Sequence, residues 1–214
     1  MLPEPAATIC AVAAYTGARA GEIQGLRWEN WHDDALYIEQ SVWNGIVGEP
    51  KTKRSKAPVP VIPRLASTLT RWRVQQGNPR KGWMFPTESG ERSLRLNNIL
   101  TRQIKPVLSR CGICLIAKRK HKPFEHEWER DQSLPLWSGW HAFRRGLASN
   151  LNRLKVDDSV IQRILRHSTL ATTQNHYIKT VNADAIAAMD RLTDSLTCAD
   201  GTPKASVLKS NRVH

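Results

Sequence analysis

The chain has 214 residues, 40% of them hydrophobic, which is enough for one domain with a real core. Its 32 Lys and Arg outnumber 19 Asp and Glu, leaving a formal charge of +13 and an isoelectric point near 10.1; the excess favours a polyanionic partner, nucleic acid before an anionic membrane. No apolar run approaches the roughly 20 residues of a membrane-spanning helix, and Cys10, Cys111, Cys114 and Cys198 form no dense disulfide framework, as expected of reduced thiols in a cytosolic protein.

Pro3-Glu4-Pro5 suits a helix start, with proline tolerated in the first turn and an acid near the positive end of the dipole. That helix is expected to run to Tyr15. Its apolar stretch from Ile9 to Ala14 has no basic segment before it, so it reads as a buried helix rather than a signal peptide. Thr16-Gly17 breaks it, and helix resumes from Ala20 to Leu26. Ala35 to Glu39 and Ala57 to Val61 read as short strands, with a loop between them that contains Gly45, Gly48 and Pro50. Pro63 to Gln76 reads as a helix ending at Gly77-Asn78-Pro79, and Leu94 to Leu108 as another. Residues 110–140 are irregular, charged and rich in Trp. Helices are then expected over Ala142 to Leu154, Ser159 to Leu165, Thr172 to Tyr177 and Asn182 to Leu196, followed by a polar tail from Thr197 without apolar periodicity. No internal repeat is present.

Four segments carry ionisable side chains in a suggestive order: Thr16-Gly17-Ala18-Arg19-Ala20-Gly21-Glu22, then His141-Ala142-Phe143-Arg144-Arg145-Gly146, then His167, then Thr172-Thr173-Gln174-Asn175-His176-Tyr177. Singly, each has a plain alternative. Arg19 can be a surface cation beside a carboxylate. His141 can cap a helix, and Tyr177 can pack its ring and leave its hydroxyl wet. Together, the order Arg, His-x-x-Arg, His, Tyr resembles the catalytic domain of the tyrosine recombinases, the phage-integrase family, over roughly residues 5 to 195.

The resemblance implies a mainly helical α+β domain over residues 1–196 with a small antiparallel sheet, an irregular basic insertion at about 110–140 and a disordered tail at 197–214. The N-terminal DNA-binding domain usual in the family is expected to be absent, since the match begins almost at Met1. The implied activity is site-specific recombination or integration of double-stranded DNA through a 3′-phosphotyrosine, by protomers assembled on DNA, with no membrane partner. Arg19 and Arg144 would clamp the phosphate, His167 would donate a hydrogen bond to it, His141 would carry a proton, and Tyr177 would be the nucleophile. The chemistry explains the company these groups keep. Guanidinium forks suit non-bridging phosphate oxygens and the charge of the transition state, and a tyrosine ester stores the bond energy for rejoining. No step requires a metal or an organic cofactor. Two further functions share the motif set: a DNA-binding remnant without catalysis of its own, and relaxation of supercoils in the manner of a type IB topoisomerase.

In Lys51-Thr52-Lys53-Arg54-Ser55-Lys56, the family's general-acid lysine corresponds best to Lys51, from its distance to Val59-Pro60, with Lys53 as competitor. Ala18 stands where the family has a larger apolar residue. Arg166 stands where it usually has glycine, implying either a tighter backbone or an added phosphate contact. His176 would point off the tyrosine's face.

Two features fall outside the resemblance. Cys111-Gly112-Ile113-Cys114 followed by His121 and His126 could bind zinc tetrahedrally, at a shorter spacing than the common fingers; the alternative is buried thiols with surface histidines. No metal is assigned at this stage, and Lys118-Arg119-Lys120 and Lys122 read as DNA-backbone contacts. Of the 8 tryptophans, Trp72, Trp83 and Trp140 are expected in the core, because duplex DNA hides the bases on which they could otherwise stack.

Overall fold

The first helix, α1 (Ala6–Thr16), has no exposed residue: Ile9, Val12 and Ala13 are among those fully buried on one side, and the others are half-buried. A helix apolar on every side belongs at the centre of a fold. In the computed structural model, which describes residues 1–32, 34–49, 58–122 and 126–167, α1 packs against four later helical segments. Glu4 accepts the Thr8 N–H at 3.1 Å, so the acid expected at the start does cap it. Gly17 ends it in the left-handed conformation and donates to the Ala13 carbonyl.

After α2 (Ala20–Gln24) come β1 (Trp31–His32) and β2 (Ala35–Leu36), then the hairpin β3 (Ser41–Trp43) and β4 (Ile46–Gly48), and then β5 (Val59–Pro60). The sheet order is β1-β2-β5, antiparallel throughout, with Ala35 opposite Pro60 and Leu36 opposite Val59. The expected pairing of the two strand regions is therefore present, in shorter strands and with a third partner. The described part of the expected loop is a second hairpin, Ser41–Gly48. Asn44 and Gly45 both take positive φ, 49° and 84°, and an Asn-Gly pair turns a hairpin with the twist its strands need.

Helix α3 (Pro63–Gln75) begins on proline, buries Leu65 and Leu69 one turn apart, and ends just before Gly77-Asn78. The helix expected over Leu94 to Leu108 is not uniform. It runs as α4 (Leu96–Ile99), a π-helical segment Leu100–Ile104, and α5 (Lys105–Leu108). Pro106 has no N–H to give the Arg102 carbonyl and its ring crowds that carbonyl, so the turn before it widens. Residues beyond α5 form short bridges, Arg110 to Ala117 and Cys111 to Arg130, around a 3-10 turn Lys118–Lys120.

Helix α6 (His141–Arg153) and α7 (Asp158–Leu165) pack on each other, and α6 also packs on α1. Asp157 caps α7 by accepting the Ser159 N–H at 2.7 Å. The core runs from Ala6 and Ile9 of α1 through Leu36, Val59 and Leu65 to Ile99 and Ile104. Trp72 and Trp140 line it as expected. Trp83 does not join it: it stacks under Arg27, and the fully buried tryptophan is Trp28. The architecture is mainly helical with small antiparallel sheets. The expected helices at Thr172 to Tyr177 and Asn182 to Leu196, and the tail from 197, lie outside the described residues. No helix among the described residues is long and apolar enough to cross a membrane.

Candidate functional site

The turn between α1 and α2 is where the site begins. Gly17 has φ +59°, and a Cβ there would meet Leu165 Cδ2 at 2.8 Å and Leu147 Cδ2 at 3.2 Å. Two later helices, α6 and α7, thus close directly onto this turn, and only glycine meets both demands of conformation and space. Ala18 follows, buried in the core, where a small side chain fits.

Arg19 then takes an extended conformation as the N-cap of α2. Glu22 lies one turn on and reaches back: its Oε2 accepts the Arg19 N–H at 2.8 Å and its Oε1 accepts Arg19 Nη1 at 2.8 Å. This is half of a capping box, turned to orient a guanidinium. Glu22 Oε2 also accepts from Arg166 Nη2 at 2.8 Å, and both side chains of that pair are buried. Burial pushes the Glu22 carboxyl up, but the charges of Arg166 and Arg19 and the bonds from Arg19 outweigh it and hold the group below its ordinary value.

Arg144, on the inward face of α6, is only 2% exposed. Its Nη1 donates to the Gly17 carbonyl at 2.7 Å, its Nη2 to the Leu165 carbonyl, and its Nε to His167 Nε2 at 3.2 Å. These bonds tie α6 to the end of α1 and the end of α7 through one guanidinium. Burial, with the nearby Arg19 and Arg166 charges, presses Arg144 down to about 9, with Glu22 opposing; it remains a cation at neutral pH. Because Arg144 Nε donates to His167 Nε2, that nitrogen holds the lone pair and Nδ1 carries the proton. Gln162 bonds the His167 backbone from both sides, accepting its N–H at 3.0 Å and donating to its carbonyl at 3.2 Å.

The motif flags Arg166, but not the ion pair it makes with Glu22. Arg166 ends α7 with φ +55°, the left-handed conformation that explains why glycine is usual there. Its side chain turns inward onto Glu22 instead of outward to a phosphate, so of the two sequence alternatives the structure shows the backbone constraint, joined to a buried ion pair. Only the glycine-to-arginine departure signalled it.

The structure therefore brings Arg19, Arg144 and His167 together around Glu22 and Arg166. Three guanidiniums against one carboxylate leave a surplus of positive charge, which suits an anion. His141 opens α6 one turn before Arg144 and is exposed where Arg144 is buried. Arg145 is exposed, as its helix position implies. Lys51, its competitor Lys53, and Tyr177 lie outside the described residues. An apolar groove of about 660 Å³, lined by Tyr15, Leu108, Leu136 and Trp137 among others, contains none of the arginines.

The model for the phage integrase family matches residues 2–183 of the chain. Among solved structures, the Tn1549 transposon integrase in complex with transposon right end DNA superposes with a TM-score of 0.62 at 17% identity, covering 87% of this chain and 58% of that one. The same integrase in complex with circular intermediate DNA gives 0.59 at 19% identity, covering 87% and 59%. The XerA recombinase gives 0.55 at 17% identity, covering 88% and 56%. At such identities the likeness is one of fold, and the chain spans less than two thirds of the length of each of these proteins. No curated protein matches it in sequence.

Proposed function

The chain belongs to the phage integrase family, and on that premise we propose that it cleaves and rejoins double-stranded DNA at specific sites. Residues 1–196 act as the catalytic domain. The Tyr177 hydroxyl attacks the scissile phosphorus, its proton leaves, and a 3′-phosphotyrosine forms as the bond to the 5′ oxygen breaks. Lys51 gives that departing oxygen a proton, with Lys53 the competing donor. A free 5′ hydroxyl then attacks the phosphotyrosine, restores the phosphodiester and releases Tyr177, so the cycle needs no external energy source. Arg19 and Arg144 carry the charge of the transition state, His167 adds its Nδ1–H, and His141 assists proton transfer. Several protomers work together on paired DNA sites, in the cytoplasm, where the DNA is.

The observation that carries this reading is the convergence on one turn of two guanidiniums held by different ends of the chain. Arg19 is aimed by Glu22, and Arg144 is anchored to Gly17 and backed by His167. Phosphoryl transfer rewards such preorganised cations, since they need no rearrangement as charge develops. A labelled, nicked suicide substrate tests it. The wild-type chain gives a covalent band on a denaturing gel, and Tyr177→Phe, which removes only the hydroxyl, gives none while still binding the duplex. A band from the Phe variant would show that another group is the nucleophile.

A further inference from the structure

Four side chains in the segment after α5 converge on one point. The ligand atoms of Cys111, Cys114, His121 and His126 all lie within 4.8 Å of one another. His126 Nε2 is 3.0 Å from His121 Nε2 and 3.2 Å from Cys111 Sγ. A ring nitrogen has one in-plane position, either a proton or a lone pair. His126 Nε2 therefore cannot serve both neighbours well with hydrogen bonds, whereas a shared cation would satisfy all three atoms at once. Zinc bonds of about 2.3 Å to sulfur and 2.0–2.1 Å to nitrogen place tetrahedral ligand atoms about 3.3–3.8 Å apart; the two short separations at His126 would open slightly and the widest, at most 4.8 Å, would close.

The surrounding backbone points the same way. Cys111 Sγ accepts the Ile113 N–H at 3.4 Å, the kind of outer bond that steadies a thiolate ligand. The turn after Cys111 is a tight one: Leu115 takes φ +61° and its N–H bonds the Cys111 carbonyl. Gly112 lies against the returning segment, with Asp131 Cα 3.4 Å from where a Cβ would stand. Yet this segment has little core of its own. Ile113 and Leu115 are 63% and 58% exposed, and of the four converging residues none belongs to the main apolar cluster. A small substructure without a core needs a staple.

The geometry points to a structural zinc ion held by Cys111, Cys114, His121 and His126. Two thiolates and two imidazoles suit tetrahedral zinc, and the pairs Cys-x2-Cys and His-x4-His have ordinary ligand spacing. The six residues between the pairs make this a knuckle closed across a hairpin rather than a finger with its own helix. Those six include Lys118-Arg119-Lys120, all exposed, with Lys118 Nζ stacked 4.5 Å from the Trp128 ring. The ion would thus hold a basic turn at a fixed place on the surface. The inference does not depend on the recombinase reading.

The test is metal analysis of the full chain purified without chelators. One zinc per chain is expected, retained in Cys10→Ala and lost in Cys114→Ala and in His121→Ala. Should those variants fail to fold, the wild type decides by itself: exchange into cobalt(II) should give the intense visible bands of a tetrahedral ion with thiolate charge transfer. A wild-type chain that is folded by circular dichroism, carries no stoichiometric zinc and gives cobalt only a weak octahedral spectrum overturns the inference. So does a Cys111–Cys114 disulfide in the protein as purified under reducing conditions.

Discussion

Glu22 and Arg166 are 144 residues apart in the chain and meet at 2.8 Å, both buried. The pair joins the start of α2, which carries Arg19, to the end of α7, next to His167. It does so from a backbone position, φ +55°, that any residue but glycine occupies at a cost. Arg166→Gly would relieve that cost yet strand Glu22 with one cation. Breaking a buried pair typically costs about 3–5 kcal/mol; Arg19 remains to share the carboxylate, so a loss of about 2–3 kcal/mol is expected by urea denaturation. Arg166→Ala removes the same charge and keeps the strain, so it should be less stable than Arg166→Gly by roughly 1 kcal/mol. Equal stabilities would mean the left-handed conformation is not strained in solution.

Glu22 should also contribute to the acid limb of stability. Its folded carboxyl titrates below the ordinary 4.5, so the unfolded chain binds the proton more readily. The contribution is then fully present above pH 4.5 and is lost as pH falls through the lowered folded value. Glu22→Gln should be less stable than wild type at pH 7, and the gap should narrow below pH 4.5 in a series of thermal melts. A gap that stays constant with pH would place the loss in packing rather than charge.

Gly17→Ala should be costly beyond its size. Positive φ costs an alanine about 1–2 kcal/mol, and its methyl would press on Leu165 Cδ2 at 2.8 Å, adding about 1–3 kcal/mol of overpacking. The carbonyl that anchors Arg144 belongs to the same residue, so covalent DNA attachment should fall along with the melting temperature.

Arg144→Lys keeps the charge and loses the fork. One ammonium cannot span Gly17, Leu165 and His167. We expect covalent complex formation to fall on the order of 10²–10³-fold, with a much smaller change in duplex affinity, read from single-turnover trapping and a binding titration side by side. An equal drop in both would assign Arg144 to ground-state binding.

Duplex binding should weaken steeply with salt, given the +13 charge, at about −0.9 in log–log slope per neutralised phosphate. Arg119→Ala, on the exposed basic turn, should shrink the slope by roughly one such unit without changing site preference. An unchanged slope would remove that turn from the DNA interface.

Local signals in the chain were good guides to local structure. Thr16-Gly17, Pro63 and Gly77-Asn78 mark helix ends because capping and φ preference act over a few residues. Asn44-Gly45 is an equally plain hairpin signal within the segment expected as a loop. The span Leu94 to Leu108 reads as one helix; that the chain answers Pro106 with a π segment and continues, rather than stopping, depends on Leu96, Ile99 and Ile104 before it being buried in the core and on Leu108 after it packing against that core.

The sequence by itself determined which chemical groups are present and in what order: two arginines, two histidines and a tyrosine spaced as in the phage integrases, among helices whose bounds follow from side chains within a turn or two. Only the tertiary structure decided how those groups are held. That Arg144 rests on Gly17, that His167 presents Nδ1–H, and that Arg166 turns inward to Glu22 all depend on contacts spanning 23 to 144 residues. Spacing along a chain encodes neighbours on one helix, three or four residues apart. It does not encode which distant carboxylate or carbonyl a buried guanidinium will meet, because that partner is chosen by the packing of whole helices and by the cost of leaving a buried charge unsatisfied.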